Sequence, residues 1–275
     1  MDLPPGTLYV VSTPIGNMAD FSTRAVETLS RVDAVLAEDT RHSRPLLERH
    51  GIATSLVAYH EHNEAKATPK LVARLLAGES LAIISDAGTP LLSDPGARLV
   101  RAALQAAVPV SPVPGASALL AALVASGLSA ERFTFFGFLA RRGRERSEAL
   151  AAIVALSHTA VVYEAPARVA STLLALAEAG AASREAVVAR ELTKQFEEFR
   201  RGTVQSLAES YEQMPPRGEV VLVIAGGEPV ELDVAALRAR AHELRTSGLS
   251  ARDIVRVLTE DPRTPRNLAY KLAHE

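Results

Sequence analysis

The stretch "SDAGTPLLSDPG" at residues 85–96 lies between the apolar run "LAII" (81–84) and the helical pattern "ARLVRAALQAA" (97–107). This order, strand then loop then helix, puts the loop beyond the carboxyl end of a strand, where open α/β sheets bind ligands. The loop holds two Gly, two Pro and two Asp, and neither Lys nor Arg. It is not a phosphate cradle. Neither G-x-G-x-x-G nor G-x-x-x-x-G-K-[ST] occurs in the chain, and Asp86 and Asp94 repel phosphate. An acidic, carbonyl-lined corner suits a ligand that carries positive charge, such as a sulfonium with an ammonium group.

Outward from this loop the same rhythm repeats. The short runs "LYVVS" (8–12), "AVLAED" (34–39), "SLVAY" (55–59) and "VPVSPV" (108–113) alternate with helical patterns such as "STRAVETLSRV" (22–32) and "TPKLVARLLAG" (68–78). The runs are apolar almost throughout, which is the pattern of parallel strands covered by helices on both faces. Beyond about residue 116 the texture changes. "FTFFGF" (133–138), "TAVVYE" (159–164), "EAVVAREL" (185–192), "FEEFRRGTV" (196–204) and "EVVLVIAG" (219–226) read as strands, the third and fourth with no helix between them. Consecutive strands of that kind pair antiparallel, so the second sheet is expected to be mixed. From about 231 onward only helical patterns remain, with Gly248 and Ser250 as stop and start signals and Pro265 opening the last. The expected organisation is an α/β lobe over 1–116, a second α/β lobe with a mixed sheet over 117–229, and a helical, helix-turn-helix-like extension over 230–275.

Composition narrows the function. The 275 residues are 48% hydrophobic and 23% charged, and no apolar run approaches a membrane span. The start, "MDLPPGTLYVVSTP", lacks the charged and apolar regions of a secretory signal, so a cytoplasmic location is expected. The absence of cysteine excludes thiolate metal sites and cysteine nucleophiles. A net charge of −2 gives no global attraction to nucleic acid, so contact with RNA would need a local basic patch.

Further Gly- and Pro-rich corners follow the other strands: "STPIGN" (12–17), "PVPGASA" (112–118), "EAPAR" (164–168) and "AGG" (225–227). Together with "AEDTRHSRPLL", "ARELTKQFEEFRRGT" and "GEVVLVIAGG", they closely resemble the tetrapyrrole-methylase-fold enzymes. Within that fold they are similar to the branch of bacterial 16S ribosomal RNA (cytidine-2'-O)-methyltransferases that act on a decoding-centre cytidine. The resemblance implies two αβα lobes, S-adenosyl-L-methionine in the cleft between them, a homodimer, and 16S rRNA as substrate in the assembled 30S subunit. Carried over by position, it implies cofactor contacts at Pro14, Ala87, Gly88, Thr89, Leu92, Ser117, Ala118, Glu164 and Leu192. Relatives in tetrapyrrole synthesis have Gly-Asp-Pro where this chain has Gly88-Thr89-Pro90, and G-x-G-P-G-D where it has "VSTPIGN". The first departure bears on the role of Thr89, and the second argues against a porphyrin substrate and for the RNA branch.

Transfer to a ribose hydroxyl requires mainly that oxygen and methyl carbon be held at near-attack distance. The residues that end the second strand, Glu38, Asp39 and Arg41, are the catalytic candidates, although an N-capped charged helix start explains the same pattern. "HEHNE" (60–64) has no H-E-x-x-H spacing and no distant partner, so no metal site is expected and an exposed loop near the substrate entrance is. The densest basic run places Arg141, Arg142, Arg144 and Arg146 as phosphate contacts, with Lys194 reaching substrate or pairing with a nearby Glu. The tail, with eight Arg or Lys against seven Asp or Glu, is either a helical cap or an RNA-docking module using Arg263, Arg266 and Lys271. The competing functions are a methylase of a tetrapyrrole or corrinoid precursor and a non-catalytic ribosome-assembly factor that binds RNA.

Overall fold

A computed structural model describes residues 4–227, 234–259 and 264–275. They fall into two units, Met1–Gly227 and Glu228–Glu275. The first unit opens with β1 (Leu8–Val11), α1 (Thr23–Arg31), β2 (Ala34–Ala37), α2 (Thr40–Arg49), β3 (Leu56–Ala58), α3 (Glu64–Leu76), β4 (Leu81–Ile84), α4 (Ala97–Gln105) and β5 (Val110–Val113). These strands form one parallel sheet in the order β3-β2-β4-β1-β5, with Leu8 opposite both Leu81 and Val110. The near-continuous apolar runs have the reason inferred from the sequence. Leu8 packs into the core on one face of the sheet, Tyr9 and Val11 into the core on the other, so both faces are covered.

Next come α5 (Ala118–Ser126), β6 (Phe133–Phe138), α6 (Arg144–Ala155), β7 (Thr159–Glu164), α7 (Val169–Leu176), β8 (Glu185–Arg190), β9 (Glu198–Thr203), α8 (Val204–Gln213) and β10 (Val220–Ile224). The second sheet has the order β6-β7-β10-β8-β9, with β6 and β7 parallel and the other pairs antiparallel. Helix α5 packs Leu119, Ala122 and Leu123 against Val161, Val187 and Val223 of this second sheet.

Helix starts follow local chemistry. Ser22, Asp39 and Ser117 accept backbone N–H groups at the starts of α1, α2 and α5, and Thr203 and Ser206 form a reciprocal capping box on α8. Helix α3 begins at Glu64, earlier than the periodicity from residue 68 suggests, because Asn63 folds its side chain onto the His60 N–H and the Ala58 carbonyl. The second unit holds α9 (Val234–Thr246), α10 (Ala251–Leu258) and α11 (Arg266–His274) around Ala241, Ile254, Leu258, Ala269 and Leu272.

Candidate active site

Three strand ends of the first sheet are joined into one platform. Thr13 and Gly88 exchange backbone hydrogen bonds of 2.9 and 3.1 Å. The Ser85 hydroxyl donates to the Gly88 carbonyl at 3.0 Å, and the Thr13 hydroxyl to the Ser85 carbonyl at 3.1 Å. Ser12 donates to the Thr89 hydroxyl at 3.2 Å, and Thr89 donates to the Ala116 carbonyl at 3.1 Å. Thr89, where tetrapyrrole-synthesis relatives carry an acid, thus joins the loops that follow β1, β4 and β5. Gly88 has φ +83°, and a Cβ there would stand 3.0 Å from Ile15 Cγ2. A side chain would be strained by the backbone and would press on its neighbour.

The opposite wall comes from the second sheet. A bulge in β6 puts Gly137 at φ +62°, where an added Cβ would lie 2.9 Å from Ser93 Oγ. Between the walls is a cavity of about 430 Å³. Ile15, Leu92, Leu192 and Val221 supply apolar lining, and Glu38, Asp86, Asp94, Glu164 and Glu219 supply carboxylates, while none of the described residues that line it is Lys or Arg. The two walls share a device. Leu92 stands between Leu91 (φ 71°) and Ser93 (φ 73°), and Leu192 between Glu191 (φ 50°) and Thr193 (φ 66°). Left-handed non-glycine residues cost of order 1–3 kcal/mol each and gather at ligand clamps.

The electrostatics separate the carboxylates. Burial, then the charges of Glu38 and Asp86, push Asp94 up to about 6. Burial and Asp86 also raise Glu38. Asp39 moves the opposite way: hydrogen bonds from the Arg41 guanidinium and backbone hold its carboxyl far below the usual range. Asp39 caps α2, and Arg41, its side chain 89% exposed, clasps it at 2.8 and 3.0 Å. Of the three catalytic candidates only Glu38 lines the cavity. Asp94 does not cap α4. That helix begins at Ala97, with Gly96 in the N-cap position and no side-chain cap, and Asp94 lines the cavity instead.

Glu164 is wholly buried and fully engaged. It accepts from the Ala165 N–H (2.9 Å) and the Thr172 hydroxyl (2.6 Å) and pairs with Arg168 (3.3 Å). Arg146 donates to Thr172 Oγ1 at 3.0 Å and to the Ala140 carbonyl at 3.3 Å. Its guanidinium is thereby turned inward, toward the network that holds Glu164. Arg141 and Arg142 are exposed, and Arg144, also exposed, pairs with Glu148 at 2.6 Å. Lys194 bridges Glu191 (3.0 Å) and Glu219 (3.3 Å), its methylenes lying against Gly16.

Ala87, Gly88, Thr89, Leu92, Ala118, Glu164 and Leu192 all line the cavity. Pro14 is buried and, like Ser117, does not line it, and the Ser117 hydroxyl is used to cap α5. Sequence reasoning missed Phe138, Tyr163 and the Gly218–Val221 segment. Phe138 carries a signal in hindsight: a large aromatic side chain at a strand end, 59% exposed, whose ring meets Tyr163 at 5.5 Å. The Tyr163 hydroxyl accepts from the Leu119 N–H at 3.2 Å.

Residues 7–208 match the family model of Tetrapyrrole (Corrin/Porphyrin) Methylases. The chain belongs to this family. It is 44% identical over 273 residues to the "Ribosomal RNA small subunit methyltransferase I" of Synechocystis sp., covering 98% of each chain. The protein of the same name from Mesorhizobium japonicum is 49% identical over 241 residues, covering 86% of this chain and 82% of that one. Among solved structures, uroporphyrin-III C-methyltransferase from Thermus thermophilus, in complex with S-adenosyl homocysteine, superposes with a TM-score of 0.57 at 19% identity, covering 80% of this chain and 96% of that one. That likeness places the two-sheet body of this methylase within the family fold.

Proposed function

We propose that the chain transfers the methyl group of S-adenosyl-L-methionine to 16S rRNA of the small ribosomal subunit, at the ribose 2'-oxygen of a cytidine near the decoding centre. Near-full-length identity to proteins named for small-subunit rRNA methylation supports the acceptor. The observation that carries the cofactor assignment is the cavity itself: nucleoside-sized, Gly88-floored, lined by five carboxylates and, among its described lining residues, free of Lys and Arg. A cationic sulfonium fits such a lining, and a phosphate does not.

When bound, S-adenosylmethionine supplies an electrophilic sulfonium methyl. Ala87, Gly88, Thr89, Leu92, Ala118, Glu164 and Leu192 would hold it, with Pro14 and Ser117 supporting that shell. The strained loops that present Leu92 and Leu192 exclude water from the two sides. Exposed Arg141, Arg142 and Arg144 take rRNA phosphates, whereas Arg146 and Lys194 position the cavity walls. In the second unit, Arg266 and Lys271 on α11 supply a further RNA-docking surface; Arg263 lies outside the described residues. The packing of α5 on the second sheet supports a lobe boundary near 116/117, giving lobes 1–116 and 117–229 and the extension 230–275. Helix α5, "ALLAALVAS", is apolar on every side, yet leaves Leu120 50% and Val124 74% exposed. A helix of that composition is normally covered all round, which supports a homodimer. Among the described residues no helix is long and apolar enough to cross a membrane, and an rRNA acceptor in the 30S subunit supports a cytoplasmic reaction.

Calorimetry with S-adenosylmethionine and methyl transfer to unmethylated 30S subunits test this assignment. Binding, with transfer to subunits and none to uroporphyrinogen, is the expected result. No cofactor binding would leave only a non-catalytic RNA-binding role, and transfer to uroporphyrinogen alone would move the enzyme to the tetrapyrrole branch.

A further inference from the structure

Helices α3 and α4 pack side by side on the first sheet, and a groove of about 450 Å³ runs between them. Their inner faces, Leu71 and Leu75 on α3 and Leu99 and Ala103 on α4, join one core with Leu81 and Ile83. Small side chains further out, Ala65 on α3 and Ala97 and Ala102 on α4, leave the groove open. Its polar groups divide by helix. On α3, Thr68 is committed to the Tyr59 hydroxyl and the Glu64 carbonyl, and the Glu64 carboxylate to Arg98 at 3.2 Å. On α4, Arg98 uses only Nε in that pair, and among the described residues no hydrogen bond or ion pair engages the side chains of Arg101 and Gln105.

The groove is joined to the cofactor cavity. A hollow of about 340 Å³ shares Glu38 and Ser93 with the cavity and Glu64, Ala97 and Arg98 with the groove. Charge changes sign along this path. The described residues that line the cavity include five carboxylates and no cation, whereas those of the groove include two arginines against one glutamate.

We propose that the groove between α3 and α4 is a docking track for the single strand of rRNA that flanks the acceptor nucleotide, with Arg98 and Arg101 on its phosphates and Gln105 beside them on a sugar or base edge. The inference rests on the methyl transfer to rRNA proposed above. An acceptor held against the cofactor must keep its flanking phosphates out of the acidic cavity, and the connected groove offers them cations. The arrangement of the donors selects a strand. Arg98, Arg101 and Gln105 recur three and four residues apart on one face of α4, a row about 10 Å long. A row of donors follows a chain of phosphates, whereas a single small anion is held by donors that converge on it. Packed helices have axes roughly 8–10 Å apart, so the groove admits one strand and not a duplex. Phosphate contacts fix register without reading sequence. The track therefore positions the acceptor and leaves its identity to groups nearer the cavity.

The chain contains no cysteine, so one introduced thiol gives a single attachment point for an iron chelate. Leu104 is 60% exposed and borders the groove next to Arg101 without lining it. With the labelled Leu104→Cys protein bound to unmethylated 30S subunits and S-adenosyl homocysteine, hydroxyl radicals should cut 16S rRNA in the strand next to the acceptor cytidine. Arg98→Ala combined with Arg101→Ala should raise the KM for subunits about tenfold with kcat retained, and make the salt slope of subunit binding shallower by about 1 to 2. Neither arginine lines the cofactor cavity, and cofactor affinity by calorimetry should stay within about threefold of wild type. Cuts that are absent or confined to distant rRNA overturn the inference, as do an unchanged KM and salt slope in the double variant. So does a double variant whose oligomeric state changes in sedimentation, because the face is then a contact between copies of the chain. The labelled protein keeps both arginines and decides the question even if the double variant folds poorly. A wild-type protein that binds cofactor but never methylates subunits would refute the proposed function as well, whereas normal methylation with either negative result refutes the track alone.

Discussion

The 85–96 loop and the 140–146 segment, a loop that runs into the first turn of α6, both follow strand ends, yet they are built on opposite principles. The first contains no cation, and its middle is tied by backbone and hydroxyl hydrogen bonds to the ends of two other strands. The second is dense in arginine, and three of its four guanidinium groups project outward while Arg146 turns in to Thr172. The contrast shows how two kinds of recognition shape a chain. Reading a small cationic ligand through backbone and carboxylates demands fixed geometry, and so glycine, proline and strained turns. Reading a polyanion demands only charge at the surface, and long flexible side chains provide it. Arg146 and Arg168 tie the basic segment to the network that orients Glu164 in the cavity.

Three variants probe this contrast. The largest effect is expected from Gly88→Val, which puts a branched side chain at φ +83° against Ile15. Cofactor affinity measured by calorimetry should fall more than about 100-fold, equivalent to about 2.7 kcal/mol. Normal affinity in that variant would mean that the cofactor does not approach this corner. Thr172→Val is intermediate: it removes the 2.6 Å hydrogen bond to the buried Glu164 carboxylate and one of the two acceptors of Arg146. Hydrogen bonds to charged groups contribute about 1.5–3 kcal/mol, so cofactor affinity should drop roughly tenfold or more. If it holds steady, the link from Arg146 through Thr172 to Glu164 carries no energy for cofactor binding. The mildest change is Arg141→Ala with Arg142→Ala. Titration with 30S subunits at several salt concentrations should show a slope shallower by about 1 for each phosphate no longer neutralised, with cofactor affinity untouched. Equal slopes would remove these arginines from the RNA face.

Much of the molecule was legible without coordinates. The apolar runs marked a parallel sheet because a strand covered on both faces admits no polar alternation, and β8 and β9 declared a mixed sheet by following one another without a helix. The lack of Lys and Arg in "SDAGTPLLSDPG" already spoke against phosphate. Side-chain direction was not legible. Glu38, Asp39 and Arg41 are near neighbours in sequence, yet Glu38 enters the cavity while Asp39 turns to the first N–H groups of α2 and takes Arg41 with it. Asp94 reads equally well as a helix cap until Gly96 is seen to hold the N-cap position of α4.

The sequence by itself determined the order and type of the elements, the corners where a ligand can bind, and the sign of charge that such a ligand carries, because period, turn chemistry and composition are local properties. Only the tertiary structure decided which carboxylates share a cavity, that Leu92 and Leu192 close it from opposite sides, and that Arg146 serves Glu164. Those relations join residues far apart in the chain, and burial and electrostatic coupling arise only when such residues are packed together.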